Sequence, residues 1–313
     1  MNDKPYYSLD TYIKKTYGRK LYKIAIDAGL SCPNRDGLLD TRGCIFCSQG
    51  GSGDFAVKLS ETSDFEVCLT EGIERLSSKY TGSGFIAYFQ AFTGTYGPIS
   101  YLKRIYEAAL RDDRIAGISI ATRPDCLPDE VLVLLKELKE CYPYKFIWIE
   151  LGLQTIREDT AQFIRRGYSL SCFEKAVAVL DAISIPVVIH LILGLPGESE
   201  KDMLHAVSYL NRLPIQGVKL QLLHILKGTD LALLYREFPE EICVFPEKEK
   251  YIDLLIACIE HLRPDMVIHR ITGDAPKVLL LAPLWSANKK DVLNTLHRKM
   301  KELSAFQGRL YLQ

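Results

Sequence analysis

Short apolar, β-rich runs alternate along the chain with stretches whose apolar positions recur every three or four residues. The strand candidates are Leu21–Ile26, Gly84–Phe89, Ile115–Ala121, Phe146–Leu151, Val187–Leu193, Val218–Leu223 and Met266–Arg270. Between them Phe65, Leu69, Ile73 and Leu76 share one helical face, as do Leu102, Ile105, Tyr106 and Ala109, and then Val131, Leu134, Leu135 and Leu138. Pro128-Asp129-Glu130 reads as a helix start with acids in the first turn. Alternation at about thirty residues per unit predicts βαβ units and a parallel sheet. Six or seven such units predict an α/β fold, an open or partial barrel rather than a doubly wound sheet. Phe238–Lys250, rich in Pro and Glu, is expected to separate a barrel over residues 1–240 from a C-terminal α/β extension over 241–313.

Composition narrows the classes. Of 313 residues 48% are hydrophobic and 25% charged, and Lys plus Arg balance Asp plus Glu at 39 each. A global positive field for nucleic acid is absent, so any RNA contact has to be local. No apolar run reaches the roughly 18 residues that span a bilayer. The start, Met-Asn-Asp-Lys-Pro, has no apolar signal region, so a cytoplasmic protein without membrane contact is expected.

The nine cysteines are an odd number without an export signal, which favours metal or catalytic use over disulfides. Cys68, Cys172 and Cys258 fall in helical patterns and read as small buried hydrophobes. Cys32, Cys44 and Cys47 form a C-x11-C-x2-C set after the first strand, where barrel enzymes put their chemistry. Three thiolates hold three irons of a cubane and leave the fourth open. Structural zinc wants four ligands. Only Asp36 and Asp40 stand nearby as further donors, and spacing alone leaves cluster and zinc both open.

Several segments resemble one family. Lys23–Gly29 (KIAIDAG), Cys32–Gly37 (CPNRDG) and Gly43–Cys47 (GCIFC) are similar to the YhcC/YtqA-like branch of the radical S-adenosylmethionine (SAM) superfamily. The likeness continues through Gly117–Asp125 (GISIATRPD), Glu150–Thr155 (ELGLQT), His190–Gly197 (HLILGLPG), Lys219–Thr229 (KLQLLHILKGT) and Arg270–Pro276 (RITGDAP). That branch is a relative of the catalytic subunit of elongator and of oxygen-independent coproporphyrinogen dehydrogenase. The resemblance implies a partial (β/α)6 TIM-like barrel with short N- and C-terminal extensions, a [4Fe-4S] cluster on the three cysteines, and SAM cleaved to methionine and a 5′-deoxyadenosyl radical.

It also implies site residues. Around SAM it points to Thr93, Glu150, Gln154, Arg166, His190, Gly194 and His224. Thr93 belongs to the turn Phe89–Thr95, where the usual glycines have become Gln90, Ala91 and Phe92. Glu150 in an apolar strand is costly unless paired. Arg166 is expected to fork onto the SAM carboxylate, with Arg165 solvated. His190 is weighed as a ribose contact against a satisfied core histidine, and Arg123 with Asp125 as a structural ion pair against a catalytic one. Phe92, Arg270, Asp274 and Trp285 are substrate candidates, Trp285 by stacking on a base or, equally, by packing on the barrel end. Lys14-Lys15, Arg19-Lys20, Lys289-Lys290 and Arg298-Lys299 are candidate phosphate contacts flanking the barrel opening.

For function, the resemblance implies tRNA wobble-uridine modification, 5-carboxymethylaminomethyl toward 5-aminomethyl. It also implies a flavodoxin- or ferredoxin-type electron donor and a companion methyltransferase acting on the product. A radical SAM enzyme acting on a small molecule such as a porphyrin, and a non-enzymatic iron–sulfur or zinc module, are the alternatives.

Overall fold

The computed structural model describes residues 4–51, 53–59, 65–76 and 84–312. Its strands are β1 (Tyr22–Asp27), β2 (Val57–Lys58), β3 (Phe85–Phe89), β4 (Ile115–Thr122), β5 (Phe146–Gln154), β6 (Val187–Leu193), β7 (Gly217–Leu222), β8 (Ile225–Leu226), β9 (Val267–Arg270) and β10 (Leu280–Ala282). Eight of them form one sheet in the order β2-β1-β3-β4-β5-β6-β7-β9, and every pair in it is parallel. β8 and β10 make a separate antiparallel pair. The six strands β1 and β3 to β7 are the expected partial barrel. β2 extends one edge, and β9, from the C-terminal segment, extends the other. All seven strand candidates are strands of this sheet, within a residue at most ends.

The helices are α1 (Leu9–Tyr17), α2 (Phe65–Leu76), α3 (Ile99–Arg111), α4 (Asp129–Cys141), α5 (Glu158–Phe163), α6 (Leu170–Ala182), α7 (Glu200–Leu210), α8 (Asp230–Glu237), α9 (Pro239–Ile242), α10 (Lys248–His261) and α11 (Lys289–Glu302). Local chemistry starts several of them. α4 begins right after Pro128 with Asp129 and Glu130 in its first turn. Ser199 and Asp202 close a capping box on α7. α4 buries Val131, Leu134, Leu135 and Leu138 against the sheet. Truncating one such leucine to alanine costs about 2–5 kcal/mol.

Three apolar layers place the site. The main core lies between the outer face of the sheet and the helices. A second cluster, Ile13, Leu21, Ile86, Ala116 and Trp148, with Tyr12, Tyr17 and Phe146, sets α1 across the starts of β1, β3, β4 and β5. That end of the barrel is therefore plugged. At the opposite end Ile45 packs with Ile164, Ile192, Leu223 and Leu231, which seats the cysteine loop at the open mouth. Among the described residues no helix is long and apolar enough to cross a membrane.

Candidate active site

A cavity of about 870 Å³ runs from the cysteine loop into the barrel. Cys32, Cys44 and Cys47 line its mouth together with Arg35, Phe92, Thr93, Gln154 and His224. The loop is held by short polar ties. Arg35 and Asp36 donate their N–H groups to Cys32 O (2.8 and 3.2 Å), and Cys47 N donates to Cys44 O at 3.0 Å. The buried Asn34 amide donates to Arg165 O (2.7 Å), Arg166 O (3.3 Å) and Cys44 Sγ (3.5 Å). The Arg35 guanidinium donates to Cys47 O (2.9 Å) and Ser48 O (2.6 Å). Burial pushes the Cys44 thiol up to about 12 and raises Cys47 as well. These sulfurs ionise only when a metal takes the proton's place. Among the described residues no three of His, Cys, Asp and Glu stand in an arrangement that would hold one metal ion. Three thiols lining one cavity suit a cubane, which spreads its ligands over different corners.

Two buried polar atoms of residues that line the cavity, Thr93 Oγ1 and Gln154 Oε1, have no hydrogen-bond partner among the described residues. Gln154 ends β5 at an irregularity in the β5–β6 register and holds a left-handed φ of +66°. Non-glycine residues adopt that conformation at a cost, and such strain concentrates at ligand sites. Gly152 makes room for it, since a Cβ there would stand 2.8 Å from Gln154 Nε2. Orphaned acceptors on a cavity wall beside three thiols fit a cluster with a polar cofactor chelated to it. Phe92, at φ +53°, closes the mouth with its ring against Gly51, where a Cβ would stand 2.3 Å from Phe92 Cδ1.

The floor is a charged layer to which seven strands or strand neighbours contribute. Lys23 comes from β1, Tyr88 from β3, Ser119 from β4, Glu150 from β5, His190 from β6, Lys219 from β7 and Arg270 from β9. The register sets His190 beside Lys219 and Lys219 beside Arg270. Glu150 is fully buried. Its Oε1 accepts from Lys23 Nζ (2.6 Å) and Ser119 Oγ (2.7 Å). Its Oε2 accepts from His190 Nε2 (2.7 Å) and from Lys219 Nζ. Lys219 also donates to Tyr88 OH at 2.8 Å. Burial opposes the Glu150 charge, but Lys219 and Lys23 outweigh it and hold the carboxyl well below its usual range. Burial, then Lys219, lowers His190 to about 4, so its imidazole is neutral near pH 7.

Several expected roles change in this setting. Glu150 lines the cavity, but its two oxygens already accept four donors, about the capacity of a carboxylate, so it holds the lysines and is not open to SAM. Arg166 is not a free fork. Its Nε donates to Tyr168 O (2.9 Å), Nη1 to Leu153 O (3.1 Å) and Thr155 O (2.7 Å), and Nη2 meets Glu158 at 3.3 Å. Four of its five N–H groups are engaged, and they fix the backbone on either side of Gln154. Arg165 is not solvated but pairs with Asp230. Gly194 faces Phe245 and donates to Met203 Sδ, away from the cavity. Trp285 donates to Phe245 O (3.1 Å), packs on Tyr251 and does not line the cavity, which is the packing alternative.

Other expectations meet the geometry. Arg123 pairs with Asp125 at 2.7 Å and donates to Arg166 O, the structural ion pair. His224 lines the cavity, bonds Ser286 Oγ at 3.0 Å and is lowered to about 4 by burial. Arg270 and Asp274 line the cavity 3.5 Å apart, and Lys289 pairs with Asp274. Of the basic pairs, Lys289 reaches the cavity lining through Asp274. Lys14-Lys15 lie on α1 and Arg19-Lys20 just before β1, at the plugged end, while Arg298 and Lys299 pair with Glu302 and Asp253. Asn34, Tyr88, Lys23 and Lys219 drew no role from the sequence. A lone lysine inside an apolar strand, like Glu150 and His190, was the available signal.

Comparison with known proteins agrees with this arrangement. The Radical SAM superfamily profile matches residues 41–210, and the Radical_SAM C-terminal domain profile matches 215–302. YtqA of Bacillus subtilis (strain 168) is 40% identical over 309 residues, 99% of this chain and 94% of that protein. A tRNA uridine(34) acetyltransferase of Dehalococcoides mccartyi is 28% identical over 66% of this chain and 44% of its own length. Among solved structures, Elp3 of the archaeon Methanocaldococcus infernus superposes with a TM-score of 0.67 at 17% identity, over 92% of this chain and 65% of that one, a likeness of fold. The family's cofactors, a [4Fe-4S] cluster and SAM, are those that the mouth of the cavity suits. With its cysteine loop, its parallel barrel and these matches, the chain belongs to the radical SAM superfamily.

Proposed function

We propose that this enzyme acts in the cytoplasm on the wobble uridine of tRNA, converting a 5-carboxymethylaminomethyl group toward 5-aminomethyl. The observation that carries the reading is one cavity with thiols and unpartnered acceptors at its mouth and a charged layer at its floor. Its volume, near 870 Å³, is at the upper end of ordinary ligand sites and leaves room for SAM and a nucleobase together. The kinship with a tRNA uridine(34) acetyltransferase supports RNA over other radical SAM substrates.

In this reading Cys32, Cys44 and Cys47 hold the cluster, and Thr93 and Gln154 contact SAM. When bound, these cofactors supply a 5′-deoxyadenosyl radical that removes a hydrogen atom. The chain's part is to bind, aim and exclude water. The Arg166 clamp fixes Gln154, Asn34 fixes the cysteine loop to residues 165–166, and Phe92 flanks the entering base. The base has to leave its stack to enter a barrel. The glycine-derived methylene is the expected site of abstraction, since amine and carboxylate both stabilise a radical there. Transfer of one more electron to an oxidised flavodoxin- or ferredoxin-type carrier and loss of the amine proton would give an imine, and water adding to its C=N bond would release the 5-aminomethyl product and glyoxylate. A flavodoxin- or ferredoxin-type protein would supply the reducing electron, and a separate methyltransferase would take the 5-aminomethyl product.

The test supplies reduced enzyme with SAM and tRNA carrying 5-carboxymethylaminomethyluridine. After digestion, mass spectrometry should show that nucleoside falling and the 5-aminomethyl form rising. An untouched nucleoside, with a small molecule such as a porphyrin supporting 5′-deoxyadenosine formation, contradicts the RNA reading.

A further inference from the structure

The floor has donors in excess of acceptors. Glu150 is the carboxylate at its centre, and both oxygens are filled by Lys23, Ser119, His190 and Lys219. An ammonium group carries three N–H bonds. Lys23 gives one to Glu150, and Lys219 gives one each to Glu150 and Tyr88. The remaining three N–H bonds of the two lysines have no partner among the described residues. Lys23 lies 4.6 Å from the Tyr88 ring centroid and Lys219 4.5 Å from it, and each bonds one oxygen of Glu150, so the two ammonium groups share one carboxylate and one ring. Arg270 adds a third cation beside Lys219 and is tied only loosely, at 3.5 Å, to Asp274.

Charge follows the same imbalance. Seven residues lining the cavity are Lys or Arg and three are Asp or Glu, in a chain whose formal net charge is 0. Arg35 and Arg123 belong to the mouth, beside the cysteines. Lys23, Lys219 and Arg270 belong to the floor, with side-chain exposures of 20%, 3% and 29%. Lys219 shows the cost of this crowding. Burial, together with Lys23 and Arg270, holds it well below its ordinary range despite Glu150. Like charges at close range repel one another, and a bound anion relieves that repulsion.

We infer that the floor of the barrel binds a carboxylate of the substrate, between the Lys23 and Lys219 ammonium groups and beside the Arg270 guanidinium. The inference rests on the radical SAM reading of this cavity and names the chemical group that its far end takes. A carboxylate supplies the acceptors that the floor lacks, and its small planar head suits two converging ammonium groups. Glu150 is then a positioning residue. It neutralises part of the lysine charge and fixes both Nζ atoms without touching the substrate. Anchoring a carboxylate at the floor holds the carbon next to it at a set depth below the mouth, where the radical forms.

The test uses anaerobic holoenzyme with SAM and calorimetric titration of two probes: the nucleoside 5-carboxymethylaminomethyluridine and its methyl ester. The wild type should bind the acid more tightly than the ester by about thirtyfold or more, the scale of a desolvated charge pair. Lys219→Met should erase that preference by weakening acid binding far more than ester binding. Because that change leaves Glu150 one cation short and endangers folding, Arg270→Gln serves as the second variant and should reduce the preference by a smaller factor. Equal wild-type binding of acid and ester, or a preference that survives in both variants, overturns the anion site even where the enzyme converts tRNA. A preference lost in the variants while modified tRNA stays untouched keeps the anion site and overturns the tRNA reading.

Discussion

The mouth and the floor of the cavity are both polar, but they satisfy their polar groups in opposite ways. At the mouth the backbone is tied down through Asn34, Arg35 and Arg166, while three thiols, Thr93 Oγ1 and Gln154 Oε1 face the cavity. At the floor one carboxylate is saturated and ammonium donors are left over. The mouth therefore leaves thiols and acceptors for what binds, and the floor leaves donors. Removal of a thiol at the mouth should remove cofactors from a folded protein. Change at the floor should cost stability and substrate binding while the cluster stays.

The largest expected effect separates the two at once. Reconstituted wild-type protein should hold about four irons, as one cubane requires. Cys32→Ala, Cys44→Ala and Cys47→Ala should each abolish the cluster's broad visible absorption. Glu150→Gln, Cys68→Ala and Cys258→Ala should keep it. Iron analysis that finds a full cluster in a triad variant breaks the ligand assignment.

Glu150→Gln should act on folding instead. It leaves the buried Lys219 and the half-buried Lys23 without their counter-charge, which costs about 3–5 kcal/mol. Urea unfolding of the metal-free protein should show this loss, and should show little change for Cys44→Ala. Similar losses in both would mean that the two ends are not energetically distinct.

The sequence told these regions apart only in part. All seven long strands were legible, because strands covered on both faces are nearly uninterrupted apolar runs. β2, β8 and β10, two or three residues each, carry no such pattern. The cysteine loop was legible as a candidate metal site because its three thiols are close in the chain, and only the family resemblance favoured a cluster over zinc. The floor was not, because it is made by register. Lys23 and Glu150 are 127 residues apart and meet only when the sheet is assembled. The surroundings of Gly194 and Trp285 were hidden for a related reason: both turn to Phe245, which the C-terminal segment brings in.

Arg166→Ala sharpens the comparison at the mouth. It strips donors from buried carbonyls at Leu153 and Thr155, and each unpaired buried group costs about 1–3 kcal/mol. SAM affinity should fall with stability because Gln154 loses its frame. Arg166→Lys should restore little, since an ammonium cannot span that fork. Lost SAM binding with unchanged urea stability would return Arg166 to direct contact with the cofactor.

The smallest effect is pH dependence. His190 and His224 both titrate at about 4 in the fold, against 6.5 as the ordinary value. Between those limits the unfolded chain binds more protons, so stability is intact above about 6.5 and falls as pH drops toward 4. Each histidine contributes a slope of up to about 1.4 kcal/mol per pH unit there. His224→Gln should flatten the urea-midpoint profile over that window, and an unaltered profile would place His224 in a more solvated setting.

The claim that a radical made at the mouth acts on a group held at the floor is tested most directly by isotope transfer. The reduced enzyme receives SAM and tRNA whose wobble 5-carboxymethylaminomethyl group carries deuterium at the glycine-derived methylene. Deuterium should appear in 5′-deoxyadenosine as the 5-aminomethyl nucleoside forms. Consumption of the nucleoside with unlabelled 5′-deoxyadenosine would contradict it.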